Sequence, residues 1–143
     1  MADVTLERDF SVSPERLFEV VSTPEGLASW WGPEGVTLAD HHMNFTRIGP
    51  WQSTMVNGDG QRFKVTGRVT HVDPPKSVGL TWAWHDDADE RGHESHVTFT
   101  VRPHADGARL IVDHRGLADD EQAGRHTEGW TSSLNKIHAA LAK

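Results

Sequence analysis

From Val36 to Arg115 nearly every segment alternates apolar with polar side chains, and after Gly116 the period lengthens to that of a helix. Alternation puts successive side chains on opposite faces of a strand, so such a chain forms a sheet with one wet and one dry face. In RFKVTGRVT, Phe63, Val65 and Val69 face one way while Arg62, Lys64, Thr66, Arg68 and Thr70 face the other. The same rule groups Val78, Leu80, Trp82 and Trp84, then Val97, Phe99 and Val101, then Leu110, Val112 and His114. Turn clusters at Asn57-Gly58-Asp59-Gly60, Asp73-Pro74-Pro75, Asp86 to Gly92 and Ala105-Asp106-Gly107 join these strands as an antiparallel meander. A dry face this aromatic needs a cover, and the last segment supplies it. Asp119 and Gln122 form a capping box, and Trp130, Leu134, Ile137 and Leu141 recur at helical spacing. One helix of about 20 residues is roughly 30 Å long, enough to cross the sheet. Gly124 and Gly129 each weaken it by about 1 kcal/mol relative to Ala, and a helical glycine leaves room for close packing or a ligand.

Ahead of the meander, Val4, Leu6, Arg8 and Phe10 share one parity and make a half-buried strand. Ser13-Pro14 then starts a short helix over about 14–22, with Ser13 as N-cap and Leu17, Phe18, Val20 and Val21 as its apolar stripe. Thr23-Pro24 repeats the signal for a second short helix carrying Leu27, Trp30 and Trp31, which Gly32-Pro33 ends. The order strand, two short helices, meander and long helix calls for an α+β layer arrangement, a curved antiparallel sheet burying its dry face against the C-terminal helix. The gap between those layers is the natural cavity. A chain of 143 residues is one domain's worth, so residues 1–143 are read as a single unit.

Charge and missing residue types narrow the function. Lys and Arg total 14 against 21 Asp and Glu, a net charge of -7 that repels phosphate backbones and anionic lipid, so neither nucleic acid nor membrane insertion is expected. The absence of Cys excludes disulfides, thiolate nucleophiles and Cys-ligated metal, and the absence of Tyr removes a phenol as general acid. His93-Glu94-Ser95-His96 and His41-His42 fail as metal motifs, because on a strand these ring pairs point to opposite faces. Neither a metal nor another cofactor is expected. Asp86, Asp87, Asp89 and Glu90 read as a solvated hairpin tip, and no nucleophile elbow or phosphate loop is present. The opening MADVTLERDF carries Asp3, Glu7 and Asp9 and no basic-then-apolar run, so the expected location is cytoplasmic.

SVSPERLF, LASWWGPEG from Leu27 to Gly35, DPPKSVGLTWAW from Asp73 to Trp84, and EGWTSSLNKIHAAL stand in this order along the chain. Together they resemble the helix-grip, START-like (SRPBCC, Bet v-like) superfamily, and within it the activator of Hsp-90 ATPase homologue family. The resemblance covers nearly the whole chain. It implies a sheet of about seven strands gripping a C-terminal helix around a hydrophobic cavity. Its members include lipid and polyketide binders, aromatase/cyclases and chaperone co-activators. With no second domain for chaperone docking in view, the expectation is a free-standing binder of a lipid, polyketide or aromatic small molecule. A cyclase- or hydrolase-like enzyme using an inward histidine is the alternative, and a chaperone co-factor or protein-interaction module the third reading.

The expected lining is Trp30, Trp31, Trp51, Trp82, Trp84, Phe99, Trp130 and Leu134, with Ser53 and His114 as polar contacts. Of Trp30 and Trp31, one is expected to staple the short helix to the sheet and the other to wall the cavity. His126, Thr127 and Ser133 sit beside the apolar stripe of the long helix, where polar groups suit an oriented ligand. His114 and His126 are the acid/base candidates, although no carboxylate stands out as a partner. Aromatic content beyond what one small core buries leaves a homodimer as a further expectation.

Overall fold

Both Pro-led signals start helices. In the computed structural model, which describes residues 2–142, Ser13 Oγ accepts from the Arg16 N–H and Thr23 Oγ1 from the Gly26 N–H, each at 3.1 Å. They cap α1 (Pro14–Ser22) and α2 (Pro24–Trp30), which follow strand β1 (Ala2–Phe10). The meander runs through β2 (Thr37–His42), β3 (Gly49–Val56), β4 (Arg62–Asp73), β5 (Ser77–Trp84), β6 (Ser95–His104) and β7 (Gly107–Leu117). All pairings are antiparallel in one seven-stranded sheet of order β1-β7-β6-β5-β4-β3-β2, so β1 closes onto the last strand. This is the expected helix-grip layer arrangement. Its core lies on the concave face, where Leu80, Val97, Phe99, Leu110 and Val112 are fully buried. Each such side chain contributes about 1.5–3 kcal/mol by leaving water.

Two expectations need correction. Phe63 has the parity of Val65 but is 41% exposed. It sits where β4 runs beyond the core, and its strand partner Met55 takes the covered place on that face. The C-terminal helix is also not continuous. It runs as α3 (Asp120–Asn135), turns at Lys136 and resumes as α4 (Ile137–Leu141). α3 packs on β1 and β7, whereas α4 packs on α1 and α2, and the turn re-aims Ile137 and Ala140 at those helices. None of the helices among the described residues is long and apolar enough to cross a membrane.

Gly67 lets the sheet accommodate its aromatic load. A Cβ there would stand 1.9 Å from the Thr81 carbonyl oxygen and 2.7 Å from Trp51 Nε1. With no side chain in the way, Trp51 donates from Nε1 to the Thr81 carbonyl at 3.1 Å, and the Arg68 N–H donates instead to Thr81 Oγ1 at 2.8 Å. The β4–β5 ladder opens at this point while its polar groups stay paired.

Candidate ligand cavity

α3 lies toward β1 and β7 and away from the end of β5 that carries Trp82 and Trp84. A cavity of about 1010 Å³ opens there between α3 and β5, at the upper end for small-molecule sites. Trp82 and Trp84 form its sheet wall, and His126, Gly129, Trp130 and Ser133 its helix wall. The loop from Trp31 to Val36 makes one lip, while Phe63 and the hairpin residues Asp86 and Asp87 make another.

The first lip is tied to the C-terminal helices. Lys136 Nζ donates to the Gly32 carbonyl at 3.0 Å and to that of Trp31 at 3.4 Å. Those carbonyls lie just beyond the end of α2, where a cation is favoured. Ser132 Oγ accepts from the Glu34 N–H at 2.8 Å. Partial burial lowers the Lys136 pKa, partly offset by Glu34.

Behind the cavity a polar chain threads the aromatic wall. Trp130 Nε1 donates to His114 Nδ1 at 3.1 Å. An indole N–H can only donate, so the His114 proton sits on Nε2 and goes to Ser95 Oγ at 2.6 Å. Trp84 Nε1 donates to His126 Nε2 at 3.2 Å. The two imidazoles meet edge to face, with centroids 4.4 Å apart. Burial pulls the pKa of His114 down to about 3, with the neighbouring His126 and His96 acting in the same direction, and burial alone pulls His126 down to about 4. Both are neutral at pH 7. Among the described residues one buried group is left over, since Trp82 is 5% exposed and its Nε1 is buried with no hydrogen-bond acceptor. An unmet buried donor costs about 1–3 kcal/mol.

Of the expected lining residues, the structure brings Trp31, Trp82, Trp84 and Trp130 to the cavity. The other six stand in the core behind it. Trp30 is fully buried and donates to the Val20 carbonyl at 2.9 Å, making it the structural member of the pair. Trp51 folds over Gly67, and Ser53 accepts from Trp31 Nε1 at 3.0 Å beneath the cavity floor. Phe99, Leu134 and His114 are completely enclosed. Of the two acid/base candidates, only His126 reaches the cavity. Ser133 also reaches it, but Thr127 is exposed and turned back on the Ala123 carbonyl at 2.9 Å.

Sequence reasoning missed Met55, Val36 and Gln122 as cavity residues. Met55 shares parity with Trp51 and Ser53. Gln122, His126, Gly129 and Ser133 recur at spacings of four, three and four, so this second helical stripe beside the apolar one was open to detection.

Comparison with known proteins places this arrangement. The chain is 27% identical over 130 residues to the mouse (Mus musculus) activator of 90 kDa heat shock protein ATPase homolog 1, covering 89% of this chain and 33% of that protein. It therefore spans about a third of the length of that relative. An uncharacterized protein of Mycobacterium tuberculosis is 33% identical over 116 residues, covering 77% of this chain and 73% of its own. The crystal structure of the AHSA1 protein from Silicibacter pomeroyi superposes with a TM-score of 0.95 at 61% identity, covering 99% of this chain and 98% of that one. Residues 11–142 match the family model described as Activator of Hsp90 ATPase homolog 1-like protein, and the chain belongs to that family.

Proposed function

We propose that the chain binds a hydrophobic small molecule, aromatic or lipid-like, in the cavity between β5 and α3. The observation carrying this reading is that the cavity stays open, at about 1010 Å³, although six tryptophans are available to fill the molecule. Its inner wall is aromatic and its rim polar, the pattern of sites that orient an apolar ligand through a few polar groups.

Turnover by an inward histidine has less support. His114 is enclosed and bonded to Ser95 and Trp130, and His126 is bonded to Trp84; among the described residues neither imidazole pairs with a carboxylate. With values near 3 and 4, both are weak bases at neutral pH. A role as a chaperone co-factor or protein-interaction module calls for an exposed apolar patch. Among the described residues the exposed large hydrophobic side chains are Ile48 and Phe63, and Phe63 belongs to the cavity rim.

The test is a tryptophan-fluorescence titration with flavonoid, fatty-acid and polyketide ligands, on the native chain and on Trp84→Ala. At least one class should change the emission, with Trp84→Ala weakening that binding by about tenfold, the equivalent of ~1.4 kcal/mol of aromatic contact. Equal affinity and an equal response in both proteins would show that the lining is wrong.

A further inference from the structure

Among the described residues, His85 is the histidine that hydrogen-bonds both a hydroxyl and a carboxylate. It follows Trp84 at the end of β5, on the outer face of the sheet, beside Thr66, whose strand partner is Ala83. Its backbone N–H donates to the Lys64 carbonyl at 2.9 Å, which fixes it against β4. Asp89 Oδ1 lies 3.0 Å from His85 Nδ1. Lys64, with Nζ 3.1 Å from the same oxygen, holds the Asp89 carboxyl below its ordinary range and so ionised. A carboxylate only accepts, so in the neutral ring the proton sits on Nδ1 and Nε2 keeps its lone pair. Thr66 Oγ1, 2.8 Å away, is placed to donate to that lone pair. Arg91 Nε donates to the same hydroxyl oxygen at 3.1 Å, while its Nη1 pairs with Glu94 at 2.8 Å. The hydroxyl therefore points its proton at a base that a third group orients, next to a cation, which is the arrangement of an activated oxygen nucleophile.

The hairpin that carries Asp89 is a built turn. Asp86 Oδ1 accepts from the Ala88 and Glu90 N–H groups, each at 2.9 Å, and the Asp86 N–H donates to the Glu90 carbonyl at 3.0 Å. The His85 side chain is 12% exposed and Thr66 is half-buried, so the pair is screened yet open to solvent. His85 edges the cavity mouth, but Thr66 lies on the opposite face of the sheet, so either site can fail without the other.

We propose that Thr66, His85 and Asp89 form an acyl-transfer site for small neutral carboxylic esters, with Thr66 as nucleophile, His85 as general base and Asp89 as the positioning residue. Thr66 Oγ1 bonds to the ester carbonyl carbon as its proton passes to His85 Nε2, and Arg91 is the cation beside the oxygen that gains charge. The carbon–oxygen bond to the alcohol breaks, and the leaving oxygen takes the proton from Nε2. Water then attacks the acyl-threonine and gives a proton to Nε2, and Thr66 recovers that proton as the carboxylic acid departs.

An alkyl fluorophosphonate tests the nucleophile and p-nitrophenyl acetate the turnover. The native chain should form a phosphonyl adduct on Thr66, located by peptide mass analysis, and the same chain unfolded in urea should not. His85→Gln should slow that labelling by about a hundredfold, while Thr66→Ser keeps it at the same position. Asp89→Asn should slow it and move its rise with pH to lower pH, since the lost carboxylate no longer favours the imidazolium against the neighbouring Lys64 and Arg91. Ester turnover should exceed that of Thr66→Val, with an acetyl group trapped on Thr66 by acid quench. No Thr66 adduct in the native chain, equal labelling in the folded and unfolded chains or in His85→Gln, or ester turnover no faster than in Thr66→Val would each overturn the assignment.

Discussion

His114 and His126 are neutral for a physical reason that makes stability depend on pH. Burial disfavours the imidazolium, and a charge on either ring would repel a charge on the other. The unfolded chain takes up both protons near pH ~6.5, whereas the native chain resists until about pH 4 at His126 and about pH 3 at His114. Between those limits the unfolded state holds more protons, so stability falls as pH falls. The contribution is fully present above the unfolded value and is lost progressively below it. Urea midpoints should be level from about pH 8 to 7 and decline steadily from about pH 6 to 4. A midpoint unchanged over the lower range would contradict the burial of neutral histidines. The carboxyls of Asp9 and Asp89, held low by Arg109 and Lys64, act in a separate window, because their contribution is lost only below the ordinary value of 3.8. The inward direction of His114 was legible from its parity with Leu110 and Val112. Its partners were not, since Ser95 arrives through the β6–β7 register and Trp130 through the placement of α3.

At the level of elements, α3 has two working faces. Leu134 points into the core and Trp130 stands at the border of core and cavity, while the neighbouring stripe of Gln122, His126, Gly129 and Ser133 faces the cavity. A strong aromatic and aliphatic stripe draws attention to the first, and the second is visible only once a half-polar stripe is counted as a surface of its own. Gly129 separates helix stability from ligand space. The nearest atom to a Cβ built there is Pro33 Cγ at 4.0 Å, so a methyl group fits. Gly129→Ala should stabilise the fold by about 0.5–1 kcal/mol through helix propensity and, by occupying cavity space, weaken ligand binding in the same titration used for Trp84→Ala. A gain in stability with unchanged affinity would mean that the ligand does not use this face of α3. The turn at Lys136 had no sequence signal of the usual kind, neither Pro nor Gly. Its context is tertiary, because Lys136 reaches back to the carbonyls of Gly32 and Trp31 while α4 packs on different partners from α3.

For the whole molecule, the layer order was readable because alternation, turn clusters and helix caps all pointed to one architecture. The position of the cavity was harder to read. Periodicity says that the helix covers the dry face, but not that it settles toward β1 and β7 and leaves a cavity beside Trp82 and Trp84 of β5. That offset decides which tryptophans fill the core and which meet a ligand, and it moved Trp30, Trp51 and Phe99 to the first group. The WWGPEG loop, held to the C-terminal helices through Ser132 and Lys136, then forms a defined lip over the open side. The central claim is that this space holds a small molecule. Native mass spectrometry of the purified protein, followed by denaturing extraction, tests it most directly. The expected result is a species heavier than the 143-residue chain by the mass of one organic compound, which extraction releases and Trp84→Ala depletes. A bare chain mass under conditions that preserve a known apolar-ligand complex, with nothing in the extract, would contradict it.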